Sequence, residues 1–399
     1  MTNNLSSRIL SIDIMRGLTL FLMLFVNDLY EPGVPHWLVH AKAEVDGMGL
    51  ADWVFPGFLF MVGMAIPYAI NSRIKKGETS KKIFTHILLR TLSLLTIGFF
   101  VMNGEEYLNE NLTGINHLWW LTAAYVCLFL IWNKYPAPSK YAKLFIGLKV
   151  IGILGLLFLA YIFKSGEALH PSWMHIGWWG ILGLIGWGYF SASVTYLLAR
   201  DNIVWTALVG IFFIVLNILS QLGKLDFLHS IQPIFGVILD GNVPSIVVSG
   251  LLLGNILRKY KKISSSKLIV SLTAIGISYL VIGFFLRHWF ILSKIQGTPS
   301  WAMVCNGISI IVLTILYFIV DIKGKTNWTY MFKEAGKNSL TTYLAPDIIY
   351  FVTWGVGLPI YFYKQIGQPW LAITGSFLWA FIMIWMAIFL SKIKIQLKL

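Results

Sequence analysis

Long apolar stretches alternate with short polar ones along the whole chain. Twelve runs stand out, at roughly 14–30, 51–71, 84–102, 116–132, 144–163, 177–199, 203–222, 243–257, 268–287, 301–320, 338–360 and 370–391. Most are close to the ~20 apolar residues a helix needs to cross a hydrocarbon core of about 30 Å. The pattern predicts an all-α fold, a polytopic transmembrane helical bundle of about 10–12 spans. The eighth run is short and glycine-rich, so its ends are the least defined. No connecting segment exceeds about 20 residues. Residues 1–399 therefore read as a single integral-membrane domain with no soluble part. The first run begins near Ile14 with no small-residue cleavage pattern after it, and is expected to stay as a span.

Charge then orients the bundle. If the N-terminus lies inside, 23 of the 31 Lys and Arg residues fall on inner segments, six on outer segments (Lys42, Lys164, Lys224, Arg287, Lys294 and Lys364), and Arg90 and Lys149 within spans. This asymmetry places both termini on the cytoplasmic side. It also accounts for the net charge of +14 through topology and attraction to anionic lipid, with no nucleic acid required. The composition, 57% hydrophobic and 12% charged against about 25% charged in soluble domains, excludes an ordinary soluble enzyme. Cys127 and Cys305 sit inside apolar runs, which argues against a disulfide framework. There is no Walker A loop, dinucleotide fingerprint, Gly-x-Ser-x-Gly elbow or Cys/His metal cluster, so a pump carrying its own ATPase is excluded.

Ionisable and amide groups within or beside the spans are the candidates for function, because burying them in lipid is costly. Asp52 starts the second span and Asp347 lies in mid-span. Asp13 and Arg16 are three residues apart on one helix face, which suits a local ion pair or, for Arg16, a hold on an anionic ligand. Seven of the eight histidines lie at or beyond the outer ends of spans, where imidazole suits proton transfer. His36 and His40 have a spacing that could clamp zinc on a helix, but no Glu stands where a zinc hydrolase needs one, and no metal is expected. Asn27 lies 11 residues beyond Arg16, about 16 Å along a helix. Most Trp residues fit interfacial belts, while Trp37, Trp119, Trp120 and Trp301 could offer flat faces to sugar rings. Arg73, Lys75, Lys76, Lys81, Lys82, Arg90, Arg258 and Lys259 supply inner positive charge for a nucleotide-bearing ligand, or simply mark the inner face.

The first 70 residues carry a more specific pattern. Ser11-Ile12-Asp13-Ile14-Met15-Arg16-Gly17, then Phe25-Val26-Asn27, His40, and Asp52-Trp53-Val54-Phe55-Pro56-Gly57-Phe58-Leu59-Phe60 with Gly63 resemble the heparan-α-glucosaminide N-acetyltransferase family. Weaker matches follow at Arg90–Gly98, Gly180–Tyr189, Asp240–Ser245 and Gly336–Ser339 with Tyr343. In that family a Glu falls at the position of Asp347. The usual Trp-Asn-Gly after the reactive histidine is replaced here by Ala41-Lys42-Ala43-Glu44-Val45-Asp46-Gly47-Met48, and the Gln-Arg of the sixth span is missing. The resemblance implies a ten-span core with 116–163 as an inserted hairpin, in a bacterial cytoplasmic membrane.

It also implies a reaction, transfer of acetyl from cytoplasmic acetyl-CoA to the amine of a glucosamine-type sugar on the far side. The reactive histidine falls on His40, with His36 as the alternative, and its partner on Asn27. Imidazole can take the amine's proton or carry the acetyl group transiently, and the Asn27 amide can donate to a developing oxyanion. Asp52 and Asp240 would orient the histidine or bind the amino sugar, with Trp37 against the sugar ring. Arg16, Arg90, Arg258 and Lys259 would hold the CoA phosphates. The expected partners are an amino-sugar acceptor and membrane lipid, with a homodimer left open. Two readings compete: a transporter of amino sugars or muropeptides with no chemistry, and O-acylation of a polysaccharide hydroxyl.

Overall fold

The structure, a computed structural model, describes residues 9–136, 140–260 and 264–399. Arg8, Lys261 and Lys262, counted above among the inner cations, lie outside the described residues. All twelve apolar runs are helical. In chain order the helices are α1 (Leu10–Asp28), α2 (Leu50–Lys75), α3 (Ser80–Met102), the single turn α4 (Glu110–Thr113), α5 (His117–Trp132), α6 (Ala142–Ile162), α7 (Gly180–Ala199), α8 (Ile203–Gln221), α9 (Gln232–Asp240), α10 (Asn242–Tyr260), α11 (Ser265–Leu286), α12 (Pro299–Leu316), α13 (Tyr330–Lys337), α14 (Ser339–Gly355) and α15 (Pro369–Lys392). The only strands among the described residues, β1 (Ser165–Glu167) and β2 (His170–Ser172), form an antiparallel hairpin between α6 and α7.

Among the described residues, nine helices are long and apolar enough to cross a membrane, or ten if α9 and α10, bent by 46° at Gly241, form one span. The fourth and eleventh runs give shorter helices, α5 with 16 residues and α14 with 17. The chain is an integral membrane protein with an all-α polytopic bundle. Its helices divide by burial. α1, α2, α7 and α12 are mostly buried, whereas α6, α8 and α11 are apolar yet no more than 22% buried. A helix that is apolar all round and faces outward is solvated by lipid.

The centre is tightly packed. α10 lies along α2, and a Cβ on Gly63 would come within 1.9 Å of the Val247 carbonyl oxygen, one on Gly250 within 2.0 Å of that of Phe60. Only glycine lets the two backbones meet this closely.

Contacts sort the loops into two faces. At one face the N–H groups of Leu10 and Ser11 donate to Asp321 (2.9 and 3.0 Å), and the Leu397 N–H donates to the Thr341 hydroxyl (2.8 Å). Arg16, Arg73, Lys337 and Lys398 line one cavity there; we call it the basic face. At the opposite face Asp28 pairs with Lys364 and Asp46 with Arg287. The second group includes His40, and we call that end the histidine face.

Candidate functional site

At the histidine face, the segment after α1 returns to the start of α2 through turns rather than a helix, so His36 and His40 do not share the helical face a zinc clamp would use. α2 begins at Leu50, with Gly49 as its N-cap. The Val39 carbonyl oxygen lies 2.0 Å from where a Gly49 Cβ would stand, so the turn closes only over glycine. That closure lets Asp52, in the first turn of α2, reach back. Its Oδ2 accepts the N–H groups of Gly49 (2.9 Å) and Ala41 (3.0 Å), and its Oδ1 lies 2.7 Å from His40 Nδ1.

Asp52 is 1% exposed, while the His40 side chain is 36% exposed. A buried carboxylate at Nδ1 orients the ring and holds a proton there, leaving the Nε2 lone pair as the outward acceptor. Asp52 carries charge at a helix N-terminus, where the backbone dipole favours it. His36 is exposed and has no hydrogen-bond partner among the described residues. Trp37 beside it is 67% exposed.

The loop joining α11 to α12 closes over this pair. Lys294 Nζ lies 3.2 Å from His40 Nε2 and 3.3 Å from Nδ1. Burial pushes the Lys294 ammonium below its ordinary pKa, and the Asp52 charge works against that shift. The loop is fixed from below. Ser293 Oγ and Gln296 Nε2 both donate to the Ala43 carbonyl (3.0 and 2.9 Å), and the Leu292 N–H donates to Asp46 (2.8 Å). Asp46 in turn pairs with Arg287 at 2.9 Å. The Leu292 N–H foremost, then Arg287, hold the Asp46 carboxyl below the usual carboxylate range, with burial opposing them.

Asp240 does not touch His40. Its Oδ1 accepts from Ser220 (3.1 Å) and Asn217 (3.4 Å). Asn217 also donates to the Gly297 carbonyl (3.1 Å), so Asp240 joins the site only through the loop that carries Lys294.

At the basic face, a cavity of about 330 Å³ enters between α1, α2, α3, α7 and α14. Arg16, Arg73, His86, Arg90, Lys337 and Lys398 surround its mouth, and no Asp or Glu side chain is among its described lining residues. Arg16 is tied to Asp13 at 3.0 Å and still faces the cavity. The Arg90 guanidinium lies 4.8 Å over the ring of Tyr189. Deeper in, the wall is apolar and includes Leu20, Met23, Phe58 and Leu94. Arg16, Leu20, Met23 and Asn27 follow one another at helical spacing along a single face of α1. The cavity wall reaches Met23, one turn short of Asn27, whose exposed side chain has no partner among the described residues.

Arg258 and Lys259 are not part of this cavity. Arg258 pairs with Asp201, and Lys259 lies over the neighbouring Tyr260 ring. Asp347 hydrogen-bonds to Tyr125 (2.9 Å) and makes no ion pair among the described residues.

Two groups that sequence reasoning did not single out occupy the histidine face. One is Lys294, whose only signal was its presence where cations are rare. The other is Asp28, next to Asn27. It is fully buried, pairs with Lys364 at 2.8 Å and accepts hydrogen bonds from Tyr350 (2.5 Å) and Tyr363 (2.8 Å). Lys364 also lies over the rings of Tyr350, Tyr361 and Trp354.

The chain is 29% identical over 154 residues to the Homo sapiens heparan-alpha-glucosaminide N-acetyltransferase, covering 39% of this chain and 20% of that protein. The Mus musculus protein of the same name is 28% identical over 153 residues, covering 38% and 20%. The match spans about a fifth of the length of these curated relatives, and the relationship is distant. The model of a family described as a domain of unknown function, DUF5009, matches residues 8–226, which takes in the Asp52–His40 pair and four of the five helices around the basic cavity, α1, α2, α3 and α7, and the chain belongs to that family.

Proposed function

We propose that the protein is a membrane-embedded acetyltransferase that moves acetyl from cytoplasmic acetyl-CoA to the amine of a glucosamine-type sugar at the histidine face. The observation that carries this reading is the pairing of two features on one axis: a cation-rimmed, apolar-walled cavity at the basic face, and a carboxylate-oriented imidazole at the other.

The cavity suits the donor. Guanidinium and ammonium groups at the mouth match phosphates, and an uncharged wall matches an extended pantetheine arm. Arg16, Arg73 and Arg90 would hold the phosphates, while Arg258 and Lys259 stand apart. With the basic face cytoplasmic, the thioester travels outward along the α1 face that ends at Asn27. The Asn27 amide donates to the oxyanion that forms as the thioester carbonyl is attacked. His40, its Nδ1–H donated to Asp52, presents Nε2 either to take the proton of the attacking amine or to carry the acetyl group itself. Trp37 offers its exposed face to the sugar ring, and Asp240 stands behind the loop as a second carboxylate.

The test is direct. Detergent-purified protein given acetyl-CoA and glucosamine releases free CoA thiol and forms N-acetylglucosamine in equal amounts. Saturable uptake of unmodified glucosamine into proteoliposomes, with no thiol release, would instead establish a carrier.

A further inference from the structure

The amine of Lys294 has an unusual position for a lysine beside a histidine. Its distances to the two ring nitrogens of His40 are nearly equal, 3.2 and 3.3 Å. An amine in the ring plane cannot be that close to both without colliding with the carbon between them. Nζ therefore lies over the face of the imidazole, and the in-plane lone pair of Nε2 stays uncovered. Asp52, at 2.7 Å from Nδ1, keeps Nε2 as the free position. An acetyl group on Nε2 is conjugated with the ring and coplanar with it, so its carbonyl carbon is open to attack from the face, the side on which Nζ sits.

We propose that Lys294 is an internal acetyl acceptor: when no substrate amine is present, it takes the acetyl group carried by His40, and the protein acetylates itself at this position. The inference rests on the acyltransferase reading above. Three further observations favour it. No carboxylate among the described residues lies within ion-pair distance of Nζ, so nothing retains the ammonium form by direct contact. Burial lowers its pKa, which raises the share of free amine. The loop is pinned on both sides of Lys294, at Ser293 and Gln296, so the side chain cannot withdraw with its backbone. Lys364, on the same face, is the contrast: Asp28 at 2.8 Å and three aromatic rings occupy its Nζ.

The step balances without another reactant. CoA has already left as the thiol. The Lys294 free amine attacks the acetyl carbon, the bond from that carbon to Nε2 breaks, and its electron pair returns to Nε2. The proton shed by the new amide nitrogen passes to Nε2. The product is a neutral amide that the site cannot reverse, lying over the histidine where an acceptor would approach. Acceptor scarcity thus silences the enzyme.

The experiment incubates the purified full chain with deuterated acetyl-CoA and no acceptor, then maps acetyl-lysines by peptide mass spectrometry over time. Lys294 is expected to label at least about tenfold faster than exposed lysines such as Lys76 and Lys224, because a held nucleophile gains from proximity. Added glucosamine should suppress the label, and His40→Ala should reduce Lys294 to the rate of the exposed lysines. Labelling of Lys294 no faster than theirs, in protein that does acetylate glucosamine, overturns the proposal and leaves the transferase reading standing. Equal labelling of Lys294 in the His40→Ala variant shows plain chemical acetylation and also overturns it. If neither glucosamine nor Lys294 is acetylated, both readings fall together.

Discussion

Two carboxylates at the histidine face, Asp28 and Asp52, are both buried and both face a lysine, yet only one leaves reactive capacity behind. Around Asp28 every group is consumed. Lys364, Tyr350 and Tyr363 satisfy its oxygens, and three rings cover the cation. Around Asp52, two backbone N–H groups and one imidazole nitrogen are satisfied, and the chain stops short of closing the shell. Nε2 of His40 and the amine of Lys294 remain available. Burial of charge alone therefore does not distinguish the two clusters; what does is a partner, His40, that keeps an uncovered ring nitrogen toward an accessible space.

Exchanging the two roles by mutation gives the largest expected effects. His40→Ala should lower acetyl transfer by about 10²- to 10⁴-fold, the usual worth of a general acid–base group, at a stability cost of about 1–3 kcal/mol for the bond lost to Asp52, whose two backbone N–H donors remain. Asp28→Ala should destabilise more, by about 3–5 kcal/mol, because it strands the Lys364 ammonium in a buried setting. Residual activity should follow the folded fraction. An Asp28→Ala protein as stable as the parent would break the contrast between the two clusters.

Next come the cations of the basic face. Arg90→Ala should raise the KM for acetyl-CoA about tenfold, some 1.4 kcal/mol of lost contact, with little change in kcat. Arg258→Ala, outside the cavity and paired with Asp201, should leave that KM unchanged. Equal effects from both would mean that the cavity is not where the donor binds.

The smallest effect is on the loop that carries Lys294. The folded pKa of Asp46 is depressed, so its contribution to stability is present above the ordinary carboxylate range near pH 4 and is lost as pH falls through the lower folded value. The melting temperature of the parent should therefore fall more between pH 5 and pH 3 than that of Asp46→Asn. The half-exposed Asp46–Arg287 pair limits the difference to about 1 kcal/mol or less.

Much of this was legible in the sequence because hydropathy is local. All twelve apolar runs became helices, and Asp52, His40 and Arg16 were visible as costly groups near a membrane. What was not legible depends on contacts between distant residues. α1 starts at Leu10 rather than Ile14 because Asp321, more than three hundred residues away, takes its first N–H groups. Lys294 meets His40 across a similar gap, and Asp28 meets Lys364 likewise. Arg258 and Lys259 looked equivalent to Arg90 by charge and side; only packing shows that they lie outside the cavity. α14 falls below spanning length because it ends at Gly355, within the apolar run that suggested it, and α5 because the run it fills was itself short.

The central claim is that acetyl enters from the basic face and leaves at the histidine face. It can be tested in proteoliposomes of known orientation, with acetyl-CoA confined to the compartment facing the basic side and glucosamine to the other. N-acetylglucosamine should then accumulate in the glucosamine compartment while free CoA thiol appears only with the donor. Product that forms only when donor and acceptor share one compartment would contradict transfer across the bundle.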